Sequence, residues 1–161
     1  MSSTATRGRR VAGGLMALAL AGSMSAAASA APDSVGAELA QVRAATAEYH
    51  SVDAAVAAGY EPVSPCVPNM GYHYGRGVAA TASDLDATSP EILVYAPRRN
   101  GSLKLVAVEY ATWDGSARLF GQAFQPPHPA GGPPFHTLHA WIWQGNPAGT
   151  FAALNPNVRC T

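Results

Sequence analysis

Between Ser34 and Gly59 the apolar side chains recur at three- and four-residue steps. Val35, Leu39, Val42, Ala45, Tyr49, Val52 and Val56 form one stripe, and that period predicts a helix with one buried face. Asp33 or Ser34 can cap its start, and Gly59 suits a left-handed stop. Ser51 is placed to cap a second short helix running through Ala58, so a break is expected near His50-Ser51. After Gly59 the period changes to two. Val63–Val67 is interrupted by Pro62, Pro65 and Pro68, which predicts an irregular crossing. Glu91–Pro97 and Leu103–Trp113 are apolar runs on either side of Asn100-Gly101. Asn-Gly in that place predicts a hairpin with a two-residue type I′ turn, because both turn residues need positive φ. In that register Arg99 faces Ser102, Tyr95 pairs with Val106, Val94 with Ala107, and Ile92 with Glu109. Leu119–Phe124 and Phe135–Gln144 read as further strands. The loop Pro126–Pro134 between them carries too much proline to enter a sheet interior. The expectation is an α+β fold, with an N-terminal helix packed on a mainly antiparallel sheet and no internal repeat.

Composition adds a location. Arg7, Arg9 and Arg10 precede the uncharged, largely aliphatic run Val11–Gly22, followed by Ser25-Ala26-Ala27-Ala28-Ser29-Ala30. This is the three-part secretory pattern. Residues 1–30 are expected to be a signal peptide cut between Ala30 and Ala31, with contact to a membrane only during export. An uncleaved anchor is the competing reading, but the apolar centre is shorter than the roughly 20 residues a spanning helix needs. The remainder, 31–161, is expected to be one extracellular domain. It holds seven basic and ten acidic side chains, a formal charge of −3. That balance argues against a nucleic-acid partner, which needs a cationic footprint. Cys66 and Cys160 are the only cysteines. An even pair in an exported chain predicts one disulfide closing most of the domain.

Side-chain alternation then places one charge among apolar neighbours. In the two-residue register Leu103, Leu105, Ala107, Glu109, Ala111 and Trp113 share a face with Ile92, Val94 and Ala96 across the pair. Glu109 is the one ionisable group there, and a buried carboxylate costs several kcal/mol unless something satisfies it. Histidine or a metal ion can do so, as can an edge open to water or backbone donors. His73 lies in Met70-Gly71-Tyr72-His73-Tyr74-Gly75, and His136 and His139 lie in Phe135–Trp143. On a strand, positions three apart point to opposite faces, so one of the latter two at most belongs to a single site. His139 shares its face with Thr137, Trp141 and Trp143. The expected set is therefore His73, Glu109 and His139, two imidazoles and one carboxylate from three strands. Such a set suits a divalent transition metal with open coordination positions, Zn, Fe or Mn, while Met70 beside His73 raises Cu. A buried His–Glu hydrogen bond needs only two of the three and no metal. Tyr72, Tyr74, Trp141 and Trp143 are candidates for a ligand wall. His50 and His128 read as surface residues. No serine elbow, phosphate loop, His-Glu-x-x-His or dinucleotide fingerprint is present.

These segments also carry a resemblance. Met70-Gly71-Tyr72-His73-Tyr74, Leu105-Val106-Ala107-Val108-Glu109-Tyr110, Leu119-Phe120-Gly121-Gln122, Leu138-His139-Ala140-Trp141-Ile142-Trp143, Asn146–Phe151 and Asn155–Cys160 together resemble a family of uncharacterised secreted proteins of actinobacteria. The likeness runs over nearly all of residues 31–161. Gly75–Pro90 is short against the family pattern, and His136 lies outside it. The resemblance implies export and carries no activity with it.

Two functions of different class follow. One is a metal-binding protein or metal-dependent enzyme built on His73, Glu109 and His139. The other is a non-enzymatic binding module whose aromatic surface and proline-rich loop hold a small molecule, a wall polymer or a protein.

Overall fold

A computed structural model describes residues 1–2, 34–127 and 131–160. All of the expected signal peptide except residues 1–2, with its Ala30–Ala31 cleavage point, lies outside the described residues, as does His128 in the proline-rich loop. The elements below all belong to the unit Ala31–Thr161.

Helix α1 spans Ser34–Thr46, a 3-10 turn covers Ala47–His50, and α2 spans Val52–Ala57. The break falls where Ser51 predicts it: the Ser51 hydroxyl accepts a hydrogen bond from the Ala54 amide at 3.3 Å. The tighter 3-10 turn also shifts the helical phase. As a result Leu39 and Val42 are buried as the stripe requires, but Ala55 takes the core position in α2 and Val56 faces solvent.

The main sheet has five strands, β1 (Glu61–Pro62), β2 (Tyr72–Gly75), β3 (Ile92–Pro97), β4 (Leu103–Thr112) and β7 (His136–Ala140), in the order β1-β2-β3-β4-β7. Every neighbouring pair is antiparallel. The segment Leu119–Phe124 is not one strand: β5 (Arg118–Leu119) and β6 (Gln122–Ala123) form a separate small hairpin. Phe120 and Gly121 turn it with φ of 54° and 72°. The final strand is shorter than Phe135–Gln144, because the regular ladder ends at Ala140; the Trp141 amide donates to Thr150 in the tail at 2.9 Å, and the Trp143 and Gln144 amides both converge on the Val106 carbonyl.

The β3–β4 turn corrects the predicted register at its tip. The Gly101 amide bonds to the Arg98 carbonyl, the Arg98 amide bonds to the Ser102 carbonyl, and Gly101 alone takes positive φ, at 80°. This is a three-residue loop with glycine at its left-handed position, so Tyr95 pairs with Leu105 rather than Val106. A bulge between Val94 and Tyr95 absorbs the extra residue, and beyond it Val94 pairs with Ala107 and Ile92 with Glu109 as expected. The spare residue on β4 is Val106, whose carbonyl accepts from the Trp143 and Gln144 amides.

That bulge also sorts side chains between the faces. Leu103 and Leu105 join Leu93, Tyr95, Val108, Tyr110 and Leu138 under the helices, instead of sharing a face with Glu109. On the reverse face Val94, Ala96, Val106 and Ala107 pack with Trp141 and Val158. A disulfide joins Cys66 to Cys160, with Cα atoms 5.7 Å apart, and secures the tail across this second face.

Candidate metal centre

Glu109 stands at the middle of the second face. It lies directly across from His139 on β7 and from Ile92 on β3. His73 is on β2, where its strand position is opposite Val94, and its ring reaches over β3 toward the carboxylate. Nε2 of His73 is 3.6 Å from Oε2 of Glu109, and Nδ1 of His139 is 3.6 Å from Oε1. One ligand atom from each of the three lies within 4.8 Å of the other two. All three residues are buried, with exposures of 8%, 4% and 2% for His73, Glu109 and His139.

The two 3.6 Å separations bear on the alternatives that alternation left open. They are too long for N–H···O hydrogen bonds, which cluster near 2.9 Å. They are close to the spacing of about 3.4 Å between tetrahedral ligands that each sit roughly 2.1 Å from one ion. Both ring nitrogens of His139 also lack a hydrogen-bond partner among the described residues. Uncompensated polar atoms in a core are costly, and an ion shared by the three side chains would relieve several at once.

Ser64 fixes how His73 presents itself. Its hydroxyl donates to the Pro65 carbonyl at 2.9 Å and lies 2.9 Å from Nδ1 of His73. With the single hydroxyl proton engaged, Nδ1–H is the donor to Ser64, and Nε2 keeps a bare lone pair aimed at Glu109. Outer hydrogen bonds of this kind orient metal-binding imidazoles. The His139 ring is stacked on Trp141, with centroids 5.6 Å apart and planes 10° from parallel. Trp141 is itself held by its indole N–H on the Ala152 carbonyl.

Burial governs the protonation of the group. It lowers the His139 pKa to about 4. It lowers that of His73 too, with Glu109 opposing and His139 adding to the shift. Burial raises Glu109, against the influence of His73 and a hydrogen bond from the Thr137 side chain. Neutral imidazoles are the metal-binding form, and the carboxyl would release its proton as a cation enters.

The triad forms part of the wall of a cavity of about 960 Å³. Ser64, Val67 and Met70 line it from the irregular crossing, Pro126, Pro127 and Pro133 from the proline-rich loop, and Leu154 from the tail. Reciprocal backbone bonds between Gln125 and Thr137 fasten the start of that loop to β7. Tyr72, Tyr74, Trp141 and Trp143 are not among the described residues that line the cavity. Tyr72 and Tyr74 alternate to the helix side and pack on the core there. Trp143 donates to the Thr46 hydroxyl and meets the His50 ring edge-on. Trp141 backs His139 without facing the cavity. His136 is on the opposite face from His139, beside Gly115. Ser64 and the lining residues Val63 and Leu154 carry no motif, and only the folded crossing and tail bring them to the site.

No protein-family model, curated protein or solved structure matches the chain.

Proposed function

We propose that this is an exported metalloprotein that holds one divalent transition metal on His73, Glu109 and His139, with open coordination positions facing the cavity. The supporting observation is the convergence of three buried ligands, from three strands, at separations too long for hydrogen bonds and near those of a shared ion. The donor set of two imidazoles and one carboxylate fits Zn(II), Fe(II) or Mn(II), and Met70 in the same cavity wall keeps copper in view. Such an ion, when bound, supplies hydrolytic or oxygen-activating chemistry. The chain's own residues orient the ligands through Ser64 and Trp141 and exclude water with the apolar wall. Export is supported by the arginine-then-aliphatic N-terminus and by the disulfide, which suits an oxidising compartment. Among the described residues no helix is long and apolar enough to cross a membrane.

Elemental analysis tests the reading. The chain, produced without a histidine tag and reconstituted with Zn, Mn, Fe(II) and Cu in turn, is expected to retain one ion per molecule. His73→Ala, Glu109→Ala and His139→Ala should each lose it while keeping their far-ultraviolet circular dichroism. No retained ion in the unmodified protein overturns the proposal. The alternative, a metal-independent binding module, draws support from Pro126, Pro127 and Pro133, which place the proline-rich loop in the cavity wall. It predicts ligand binding that chelators leave unchanged.

A further inference from the structure

The cavity beside the triad has a chemistry of its own. Apart from His73, Glu109 and His139, none of its described lining residues is ionisable, and neither lysine nor arginine is among them. Its remaining polar side chains are Ser64, Gln125 and Thr137. About 960 Å³ is the size of a site for a small organic molecule, at the upper end of the usual range. Val63 and Leu154 also belong to this wall, yet they are 61% and 47% exposed. They are two of the few large apolar side chains left in solvent, so the apolar surface continues outward from the cavity to its mouth. Trp113 is another, and its ring meets the lining residue Phe135 edge-on at 5.6 Å.

Charge then selects the occupant's head group. A divalent ion bound by one carboxylate and two neutral imidazoles leaves one positive charge in a low-dielectric wall, with no other charged side chain among its described lining residues to balance it. A single anionic oxygen donor would neutralise that charge and fill an open position. A dianion would leave an excess negative charge that no lysine or arginine could offset. We infer that the cavity binds a small apolar molecule bearing one monoanionic oxygen group, a carboxylate or a phenolate, with that oxygen directed at the metal and the body against Val67, Ile92, Pro126 and Phe135. This inference rests on the proposed metal site.

Calorimetry on the full chain, with metal content measured on the same samples, tests it. Decanoate represents the aliphatic carboxylate and para-nitrophenolate the aromatic phenolate. Acetate lacks the body, decanol lacks the charge, and decyl phosphate carries a second charge. At least one of the two monoanions is expected to bind about tenfold or more tighter than acetate, decanol and decyl phosphate. Which one binds tighter identifies the class. The tighter probe should lose about tenfold in affinity on removal of the metal. It should lose a similar factor in Val63→Asp and Leu154→Asp, at exposed positions on the mouth, each variant being compared at equal metal content and unchanged circular dichroism. Full metal occupancy with neither monoanion tighter than acetate, or with decanol or decyl phosphate binding as tightly, overturns this inference and leaves the metal site standing. Absence of metal from the unmodified protein overturns both.

Discussion

His139 illustrates what burial does to a single residue. Its ring is buried, and neither nitrogen has a hydrogen-bond partner among the described residues. Protonation in the folded state is therefore resisted until pH falls to about 4, against 6.5 for an ordinary histidine. Above pH 6.5 the ring is neutral in both folded and unfolded chains and contributes no pH dependence. Below it the unfolded chain takes up a proton that the folded, metal-free protein refuses. Stability is thus lost as pH falls from 6.5 toward 4, by about 3 kcal/mol in all. Glu109 acts with the opposite sign. Burial raises its pKa, so on acidification the folded state takes its proton first and gains stability. Urea unfolding of metal-free wild type and His139→Gln, compared at pH 7 and pH 4, separates the two. The stability of wild type relative to the variant is expected to fall by about that amount at the lower pH. An unchanged difference would show that His139 is not held neutral by the fold.

Among the elements, β2 depends most on one position at its entrance. Gly71 has φ of 110°, and a Cβ built there would collide with the backbone carbonyl of Tyr95. Two backbone bonds between Val67 and Gly71 close the tight loop that delivers His73 into the sheet. Gly71→Ala is expected to destabilise by about 3 kcal/mol, since strain and overlap act together. Gly36, in the first turns of α1, has open space around it, so Gly36→Ala should instead stabilise by about 1 kcal/mol. Paired denaturation curves read both signs, and a neutral Gly71→Ala would contradict the close approach. Much at this scale is legible from local chemistry: the Ser51 break, the antiparallel hairpin, the His139 face, and the pairing of Ile92 with Glu109. What escapes is the interplay of separated segments. The Asn-Gly signal does not distinguish a two-residue turn from a three-residue one. The bulge that compensates is set by Trp143 and Gln144 binding the Val106 carbonyl from far along the chain. For the same reason the aromatic wall expected from Tyr72, Tyr74, Trp141 and Trp143 is legible as apolar surface but not as core, backing or cavity lining.

Over the whole domain, ligands and cavity walls come from different parts of the architecture. His73, Glu109 and His139 all sit on sheet strands, whereas the mouth is made by the crossing near Val63–Met70, the proline-rich loop and the tail at Leu154. Cys66 lies within the first of these segments, and Cys160 lies in the tail that supplies the third, 94 residues away in sequence. Backbone bonds from Asn69 to Val158 and from Asn155 to Asn69 join the same two segments. A closed loop of this length restricts the unfolded chain by about 4–5 kcal/mol on the chain-entropy account. That is a large share of the roughly 5–15 kcal/mol that holds a domain folded. Cys66→Ser with Cys160→Ser is therefore expected to lower the urea midpoint strongly. Whatever fraction remains folded should still bind the metal, because the three ligands stay on the sheet. Its affinity for the preferred monoanion should fall by a larger factor than its affinity for the metal, because two walls of the mouth have been released from each other. Metal titration and calorimetry under conditions where circular dichroism shows the variant folded give the two factors. Loss of metal with retention of the monoanion would reverse the assignment and make the disulfide a support of the ligand triad, not of the cavity.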